Sequence, residues 1–212
     1  LSQELNALVW CDHTDASFVA PFEEEFGVTV NLKEYEGTGA ALSLIETSQP
    51  GDWDVLVVDG IDVPRVVAAG ILGPLNTDEL PYDTLFPELV MEENHVIDGV
   101  TYAISEKYGY NTVSFNSEVF TAEDMADMTR LWSGDFAGQL AVYDYYLPVM
   151  GMIAVGLGMD TATLSMDDLP AIEEALLALK DSASSVGEVV SSQTAIATGE
   201  VDILVGGGEW VT

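Results

Sequence analysis

Residues 5–35, LNALVWCDHTDASFVAPFEEEFGVTVNLKEY, contain the pattern that decides the fold. The apolar run Leu5–Trp10 predicts a buried strand. Helix-capping residue types follow in Asp12–Asp15, and the next aromatic residues have the spacing of a helix that ends at Gly27. The alternating run Val28–Tyr35 predicts a second strand. A strand, a helix and a strand in this order predict a βαβ unit on a mostly parallel sheet.

The same alternation returns along the rest of the chain. Further buried strands are predicted at Trp53–Val58, Gln139–Tyr143 and Val201–Val205, and helices at Leu147–Leu157, Leu169–Leu179 and Val189–Thr198. A long aromatic strand, Tyr108–Phe115, lies between the two groups of elements. We therefore predict an α/β protein of two lobes, with lobe one at 1–107 and a crossing strand plus lobe two at 108–212.

Charge separates this chain from most proteins of its size. Its 212 residues include 5 Lys+Arg and 37 Asp+Glu, which give a formal net charge of −32. This balance argues against a nucleic-acid binder and against docking on anionic lipid, because both need Lys and Arg. The acids are spread along the whole chain, which favours adaptation to high salt over attraction of a cationic ligand as the cause of the bulk charge. The longest uncharged run, Tyr145–Met159, is too short to span a membrane.

Seven short motifs occur in an order that resembles one family. They are Val9–His13, Phe22–Val30, Asp52–Val58, Ala69–Leu72, Tyr110–Asn116, Leu131–Gly138 and Gly199–Ile203. Each motif is weak alone, but the order over the whole chain resembles the extracytoplasmic solute-binding proteins of ABC importers, especially the spermidine/putrescine-binding branch.

The resemblance implies an architecture and a setting. Members of the family have two α/β lobes joined by crossing strands, with the ligand clamped in the cleft between them. Their chains continue well past the position of Thr212, so we expect the C-terminal return to lobe one to be missing here. The resemblance also implies a monomer on the outer face of the membrane, periplasmic or extracellular, that hands its solute to an ABC permease.

Ligand sites in open α/β sheets lie beyond the carboxyl ends of the strands, and the first strand ends in suitable groups. Trp10 and Asp12 match an aromatic and an acid of the polyamine binders, while His13 replaces a tyrosine. An indole face attracts an ammonium group, and a carboxylate accepts charge-assisted hydrogen bonds from it. Helix capping is the alternative for Asp12 and the preferred interpretation for Asp15.

Two other candidates belong to the first lobe and the crossing strand. Asp59 follows the predicted third strand at a position where the family usually has a serine. It is a candidate ligand-binding residue, although capping of the helix after it is the preferred interpretation. Tyr108 matches a cleft aromatic on the crossing strand, with core packing as the equal alternative.

The second lobe supplies the remaining candidates. Tyr143, Asp144 and Tyr145 place aromatic rings around one acid at a strand end, which suits a methylene chain with cationic ends. Their alternative is half-buried packing at the edge of the sheet. Glu209 matches the acid of the last family motif, and Trp210 stands in for its aromatic residue.

These residues predict a binding protein rather than an enzyme, with no cofactor, no resident metal and a small cationic solute, a polyamine, as its ligand. Ferric iron is the alternative within the same fold, because His13 lies where some iron-binding relatives place a ligand. The tyrosine pair of those relatives is absent near Glu209. A hydrolase with paired carboxylates and a pure scaffold protein are less favoured, and the neighbouring Cys11 and His13 are interpreted as incidental.

Overall fold

The computed structural model of the protein describes residues 3–207, apart from the side chain of Tyr82. The chain forms two compact units that divide between Tyr108 and Gly109. Each unit combines helices with a sheet of its own, so the α/β prediction is confirmed. The N-terminal part is called unit 1 and the C-terminal part unit 2.

Unit 1 is built on a parallel sheet of three strands in the order β2-β1-β3. The strands are β1 (Glu4–Trp10), β2 (Thr29–Tyr35) and β3 (Val55–Leu56). The central strand β1 pairs along its whole length with β2, which brings Trp10 opposite Tyr35. The Leu8 side chain is fully buried in a cluster with Tyr35 and Ala41, because the central strand of a covered sheet has neighbours on both faces.

The helices of unit 1 are short. They are α1 (Ala20–Phe26), α2 (Thr38–Thr47), α3 (Val63–Ala68) and α4 (Glu92–His95). The first helix begins later than the spacing of the aromatic residues suggests, because Pro21 lies in its first turn, where a missing backbone N–H costs nothing. It ends at Gly27 as predicted, with a φ of 63° that glycine adopts readily. Asp98 and Gly99 form the turn between β4 (Val96–Ile97) and β5 (Val100–Thr101).

Unit 2 contains a mixed sheet in the order β6-β9-β7-β8. The strands are β6 (Val113–Phe115), β7 (Leu140–Tyr143), β8 (Ser185–Gly187) and β9 (Ile203–Val205). The inner strand β7 runs parallel to β8 and β9, whereas β6 is antiparallel to β9. All residues of β7 and β9 are buried, as expected for strands that are covered on both faces.

Four helices cover the sheet of unit 2. They are α5 (Arg130–Ser133), α6 (Tyr146–Gly156), α7 (Leu169–Ser182) and α8 (Val189–Ala197). Ile153 and Leu179 from these helices pack with Leu140, Ile203 and Leu204 from the strands. This cluster is larger than that of unit 1, so most of the buried apolar surface belongs to unit 2.

Several predicted strands are shorter in the structure, and two of them lose half of their residues or more. Only Val113–Phe115 of the predicted strand Tyr108–Phe115 is paired, since its neighbour β9 is equally short. In the segment Trp53–Val58 only Val55 and Leu56 pair with β1. Among the described residues β3 is an edge strand with β1 as its neighbour on one side, and the rest of the segment is not paired with β1 as a strand.

Candidate functional site

The first strand of unit 1 ends in one predicted site residue and leads directly into a turn that carries two more. Trp10 is the last residue of β1, and Cys11–His13 then form one turn of 3₁₀ helix. The ring centroids of Trp10 and Tyr35 are 5.0 Å apart at the carboxyl ends of β1 and β2. Strand pairing therefore fixes the indole, and the tight turn holds Asp12 and His13 next to it.

Asp12 and His13 are joined to Glu106 and Lys107, which lie far away in the sequence. His13 Nδ1 is 2.6 Å from Asp12 Oδ1, and His13 Nε2 is 2.8 Å from Glu106 Oε1. Lys107 Nζ donates to the second oxygen of Asp12, Oδ2. These four side chains are called the β1-end cluster. The capping alternative for Asp12 is wrong, since its carboxylate pairs with two cationic side chains and Asp15 is the cap of the next turn.

Contacts within the β1-end cluster shift the pKa values of His13 and Asp12. Hydrogen bonds to Asp12 and then to Glu106 raise the pKa of His13 to about 9, against the opposing effect of burial. Partial burial favours the neutral form of Asp12, but hydrogen bonds from His13 and Lys107 dominate and lower its pKa to about 2. At neutral pH His13 is therefore an imidazolium ion and Asp12 a carboxylate.

The surroundings of Cys11 disfavour the thiolate form that a nucleophile needs. Burial, followed by the charge of Glu36, raises the pKa of the Cys11 thiol. Both ring nitrogens of His13 are engaged by carboxylates, so the imidazolium has no basic nitrogen to offer the thiol. These contacts support the interpretation of Cys11 and His13 as an incidental pair.

The end of β3 carries Asp59, whose role differs from the preferred expectation. Asp59 precedes a 3₁₀ turn, Gly60–Asp62, but its side chain does not cap that turn. Asp59 Oδ2 instead accepts a hydrogen bond of 3.0 Å from the hydroxyl group of Thr38 at the start of α2. The capping prediction is therefore wrong, because Thr38 draws the carboxylate towards a different helix.

Tyr35 is the last residue of β2, and its side chain contacts residues at the ends of both β1 and β3. It is buried, and its hydroxyl group donates to the backbone carbonyl of Val57. Burial, followed by the charges of Asp59 and Asp62, raises the pKa of Tyr35. Unit 1 thus brings Trp10 and Asp59 into one region of packed polar and aromatic groups, with Tyr35 as the neutral residue between them.

The end of β7 carries the candidates of unit 2. The Tyr143 side chain is buried within the core, and its hydroxyl group accepts a hydrogen bond of 3.1 Å from Gln193 Nε2. Tyr143 is therefore buried more deeply than the half-buried packing at a sheet edge that the alternative interpretation expected, since β7 is an inner strand. Asp144 is exposed, and Tyr145 is half-buried with its ring 5.6 Å from that of Tyr146.

The neighbouring end of β9 lies at the same edge of the sheet. Val142 pairs with Val205 in parallel register, so the residues after both strands leave the sheet side by side. Gly206 has a φ of 91°, and a Cβ atom there would lie 3.1 Å from the Tyr143 ring and 3.2 Å from Val149. A side chain at 206 would thus be strained and crowded. Glu209 and Trp210 lie outside the described residues.

Tyr108 ends unit 1 and is 58% exposed, so the core-packing alternative is wrong for this residue. Sequence reasoning missed its neighbours Glu106 and Lys107 as site residues. The signal for Lys107 was its rarity, since a chain with 5 Lys+Arg against 37 Asp+Glu offers few cations for any carboxylate. Glu106 carries no local signal, since its role depends on contact with His13 across the fold.

Unit 1 also contains a groove of about 770 Å³. Its walls are largely apolar and come from β3 with its flanking residues, from the segment after α3 and from residues 102–107. The volume lies in the range of small-molecule sites. Glu106 and Lys107 line the groove and also belong to the β1-end cluster, so the two features are continuous.

Within residues 3–207, no group of three or more His, Cys, Asp or Glu side chains is arranged to hold a metal ion. No helix in the same residues is long and apolar enough to cross a membrane.

The two α/β units define the fold of two-lobed periplasmic binding proteins. A putative spermidine/putrescine ABC transporter protein from Listeria monocytogenes superimposes with a TM-score of 0.76 at 19% identity, over 97% of this chain and 62% of its own. Iron-bound HitA from Pseudomonas aeruginosa gives a TM-score of 0.69 at 18% identity, over 97% and 63% of the two chains. Proteins with different solutes therefore share this fold.

Residues 17–212 match the family of bacterial extracellular solute-binding proteins, and the chain belongs to this family. It is a family of transport proteins and not of enzymes. The spermidine/putrescine-binding periplasmic protein 1 of Haemophilus influenzae is 22% identical over 197 residues, which are 92% of this chain and 54% of that protein. The chain thus spans about half the length of this curated relative.

Proposed function

We propose that the protein is the solute-binding component of an ABC importer and that it captures an amine of the putrescine and spermidine class. The single observation that carries this proposal is that the Asp12 carboxylate, two residues after the Trp10 indole, binds an ammonium group, that of Lys107. An acid next to an aromatic face is the arrangement that a cationic amine requires. The spermidine/putrescine-binding relative supports the same solute class.

The other predicted residues have defined parts in this proposal. Asp12 would bind one ammonium end, with the Trp10 and Tyr108 rings along the methylene chain and Asp59 as a further candidate acid. In unit 2, Asp144 and Tyr145 offer an exposed acid and a half-buried ring, and Tyr143 supports them from the core. Glu209 and Trp210 are proposed to complete the second end. The solute would be held between the two lobes and passed to a permease by a monomer outside the cytoplasmic membrane.

Ferric iron is the competing solute, because an iron-bound protein shares the fold. His13 is the residue that suggested iron, and its contacts disfavour it as a ligand. Both of its ring nitrogens are held by carboxylates, and its raised pKa keeps the ring protonated, whereas a metal needs the neutral imidazole. Amines therefore rank above iron as the proposed solute.

The test is a calorimetric titration of the full-length protein with putrescine, spermidine and ferric citrate. Molar NaCl is essential, because a chain with a net charge of −32 attracts polyamines non-specifically and the screening length falls to about 3 Å in such salt. We expect saturable binding of an amine, weakened about tenfold or more by Asp12→Asn, because one charge-assisted hydrogen bond is lost.

Asp15→Asn is the matched control. It removes the same charge three residues away, from a side chain that caps the Ala16–Phe18 turn. Binding that survives molar salt and responds to Asp12→Asn alone supports the proposal. Saturable binding of iron without amine binding, or an equal loss in the two variants, would overturn it.

A further inference from the structure

Lys107 occupies the position that an incoming amine would need. We propose that Lys107 determines the ligand specificity of unit 1: its ammonium group binds Asp12 as an internal substitute for a ligand ammonium, and an amine reaches Asp12 only by displacing it. This inference rests on the proposed amine-binding function. It assigns a competing role to a residue inside the binding region.

The hydrogen bonds of Asp12 are the first part of the case. His13 Nδ1 lies 2.6 Å from Asp12 Oδ1, and Lys107 Nζ donates to Asp12 Oδ2. Each carboxylate oxygen therefore already has a cationic partner. A third cation would meet two like charges at hydrogen-bond distance from the same group, so it cannot simply be added.

The charge balance is the second part. The β1-end cluster contains two carboxylates, Asp12 and Glu106, and two cations, His13 and Lys107. Because the pKa of His13 is raised to about 9, the four groups sum to zero at neutral pH. The four groups of the cluster therefore offer an incoming cation no excess of negative charge among themselves, although the chain has a formal charge of −32. This balance favours a ligand whose ammonium replaces that of Lys107.

The accessibility of the partners is the third part. The Lys107 side chain is 38% exposed and Asp12 is 30% exposed, while His13 is only 11% exposed. Lys107 is therefore the cation of the cluster that can turn outward on its flexible stem. His13 stays in place between Asp12 and Glu106, so the carboxylate keeps its orientation when Lys107 leaves.

Displacement makes a prediction about affinity. An incoming ammonium must break the ion pair between Lys107 and Asp12 before it can bind the carboxylate, and this cost lowers the affinity for any amine. Removal of the Lys107 charge should therefore strengthen the binding of putrescine and of spermidine about fivefold. Lys107→Arg keeps the charge and offers two donors to the carboxylate, so it should weaken amine binding or leave it unchanged.

The experiment compares the full-length wild-type protein with Lys107→Met, Lys107→Arg and Lys33→Met by calorimetry in molar NaCl. Lys33→Met is the matched control, because it removes the same charge from an exposed position on β2 of the same unit. The proposal is supported if Lys107→Met binds amines more tightly than the wild type while Lys107→Arg and Lys33→Met do not. It is also supported if Lys107→Met binds an amine that the wild type does not bind. Equal affinities of Lys107→Met and the wild type would refute the competing role while leaving amine binding intact.

A second readout needs no ligand. NMR titration of the His13 ring measures the pKa of His13, which depends on the charge of the neighbouring Asp12. In Lys107→Met the Asp12 carboxylate loses its second cationic partner and pairs with His13 alone. The pKa of His13 should rise in Lys107→Met and stay constant in Lys33→Met. An unchanged His13 pKa would show that Lys107 does not contact Asp12, which overturns the inference. Failure of every variant to bind an amine would overturn both this inference and the proposed function.

Discussion

The two histidines of unit 1 respond to their surroundings in opposite ways. His13 lies between two carboxylates, and these raise its pKa to about 9 from the ordinary value of 6.5. His95 is buried, and its Nδ1 has no hydrogen-bond partner among the described residues, so burial lowers its pKa. Neighbouring carboxylates therefore raise the pKa of His13, whereas loss of hydration lowers the pKa of His95.

The first of these shifts predicts a loss of stability at alkaline pH. A histidine whose folded pKa is raised stabilises the folded state fully below its unfolded pKa, and this contribution disappears as pH rises through the folded value. Between about pH 6 and about pH 9.5 the wild type should lose about 1–2 kcal/mol relative to His13→Gln, after allowance for solvent screening. Urea unfolding of both proteins at the two pH values measures the difference.

His95 provides the control for that experiment. Because its pKa is lowered, its contribution to stability is lost as pH falls below the ordinary value of 6.5. His95→Gln should therefore change the acid side of the stability profile and leave the interval from about pH 7 to about pH 9.5 as in the wild type. An alkaline loss of the same size in His13→Gln and the wild type would exclude the β1-end cluster as its source.

At the scale of elements, the two units end their strands in different ways. β1 continues into a 3₁₀ turn that presents Asp12 and His13, whereas β9 leads into Gly206 and Gly207. Position 206 requires glycine for two reasons: its φ is positive, and the Tyr143 ring leaves no room for a side chain. Close packing on Gly206 holds the Tyr143 ring at the end of β7 in unit 2.

Gly206→Ala should destabilise unit 2 by about 2–4 kcal/mol, because the backbone penalty of a left-handed residue adds to overpacking against Tyr143 and Val149. The free energy of unfolding from urea titration measures this loss.

Gly199→Ala separates the two causes. Gly199 has a φ of 75°, and a Cβ atom there would meet open space. This control variant should therefore lose only the backbone contribution, about 1 kcal/mol. Equal losses in both variants would mean that the Tyr143 ring does not crowd position 206.

For the whole molecule the dominant feature is the acidic surface. The formal net charge of −32 places many carboxylates within repulsive distance of one another in both units. Unfolding relieves this repulsion by moving the charges apart, and salt relieves it without unfolding.

We therefore expect the midpoint of thermal unfolding to rise between low and molar NaCl, with most of the rise complete when the screening length reaches about 3 Å. Chloride is the appropriate anion, since sulfate stabilises folded proteins generally by exclusion from their surface. Differential scanning calorimetry measures the midpoint. A midpoint that falls on going to molar NaCl would contradict salt adaptation as the role of the acidic residues.

Local sequence patterns were enough to predict the α/β class, the order of the main strands and helices, and the end of the first helix at Gly27. Periodicity, capping and positive φ are short-range effects, so neighbouring residues are enough to show them. The sequence also placed Trp10, Asp12 and His13 at the end of one strand, because β1 was recognisable from its apolar run.

The contact partners of these residues could not be predicted from the sequence and are known from the folded structure. His13 contacts Glu106 across 93 positions of the chain, and Asp12 contacts Lys107 across 95. The short pairing of β3 with β1 was also not predictable from the sequence. Nor was the hydrogen bond that Asp59 accepts from Thr38 in place of capping the turn that follows it. Such contacts depend on how distant segments pack, and local spacing carries no information about the distance between them.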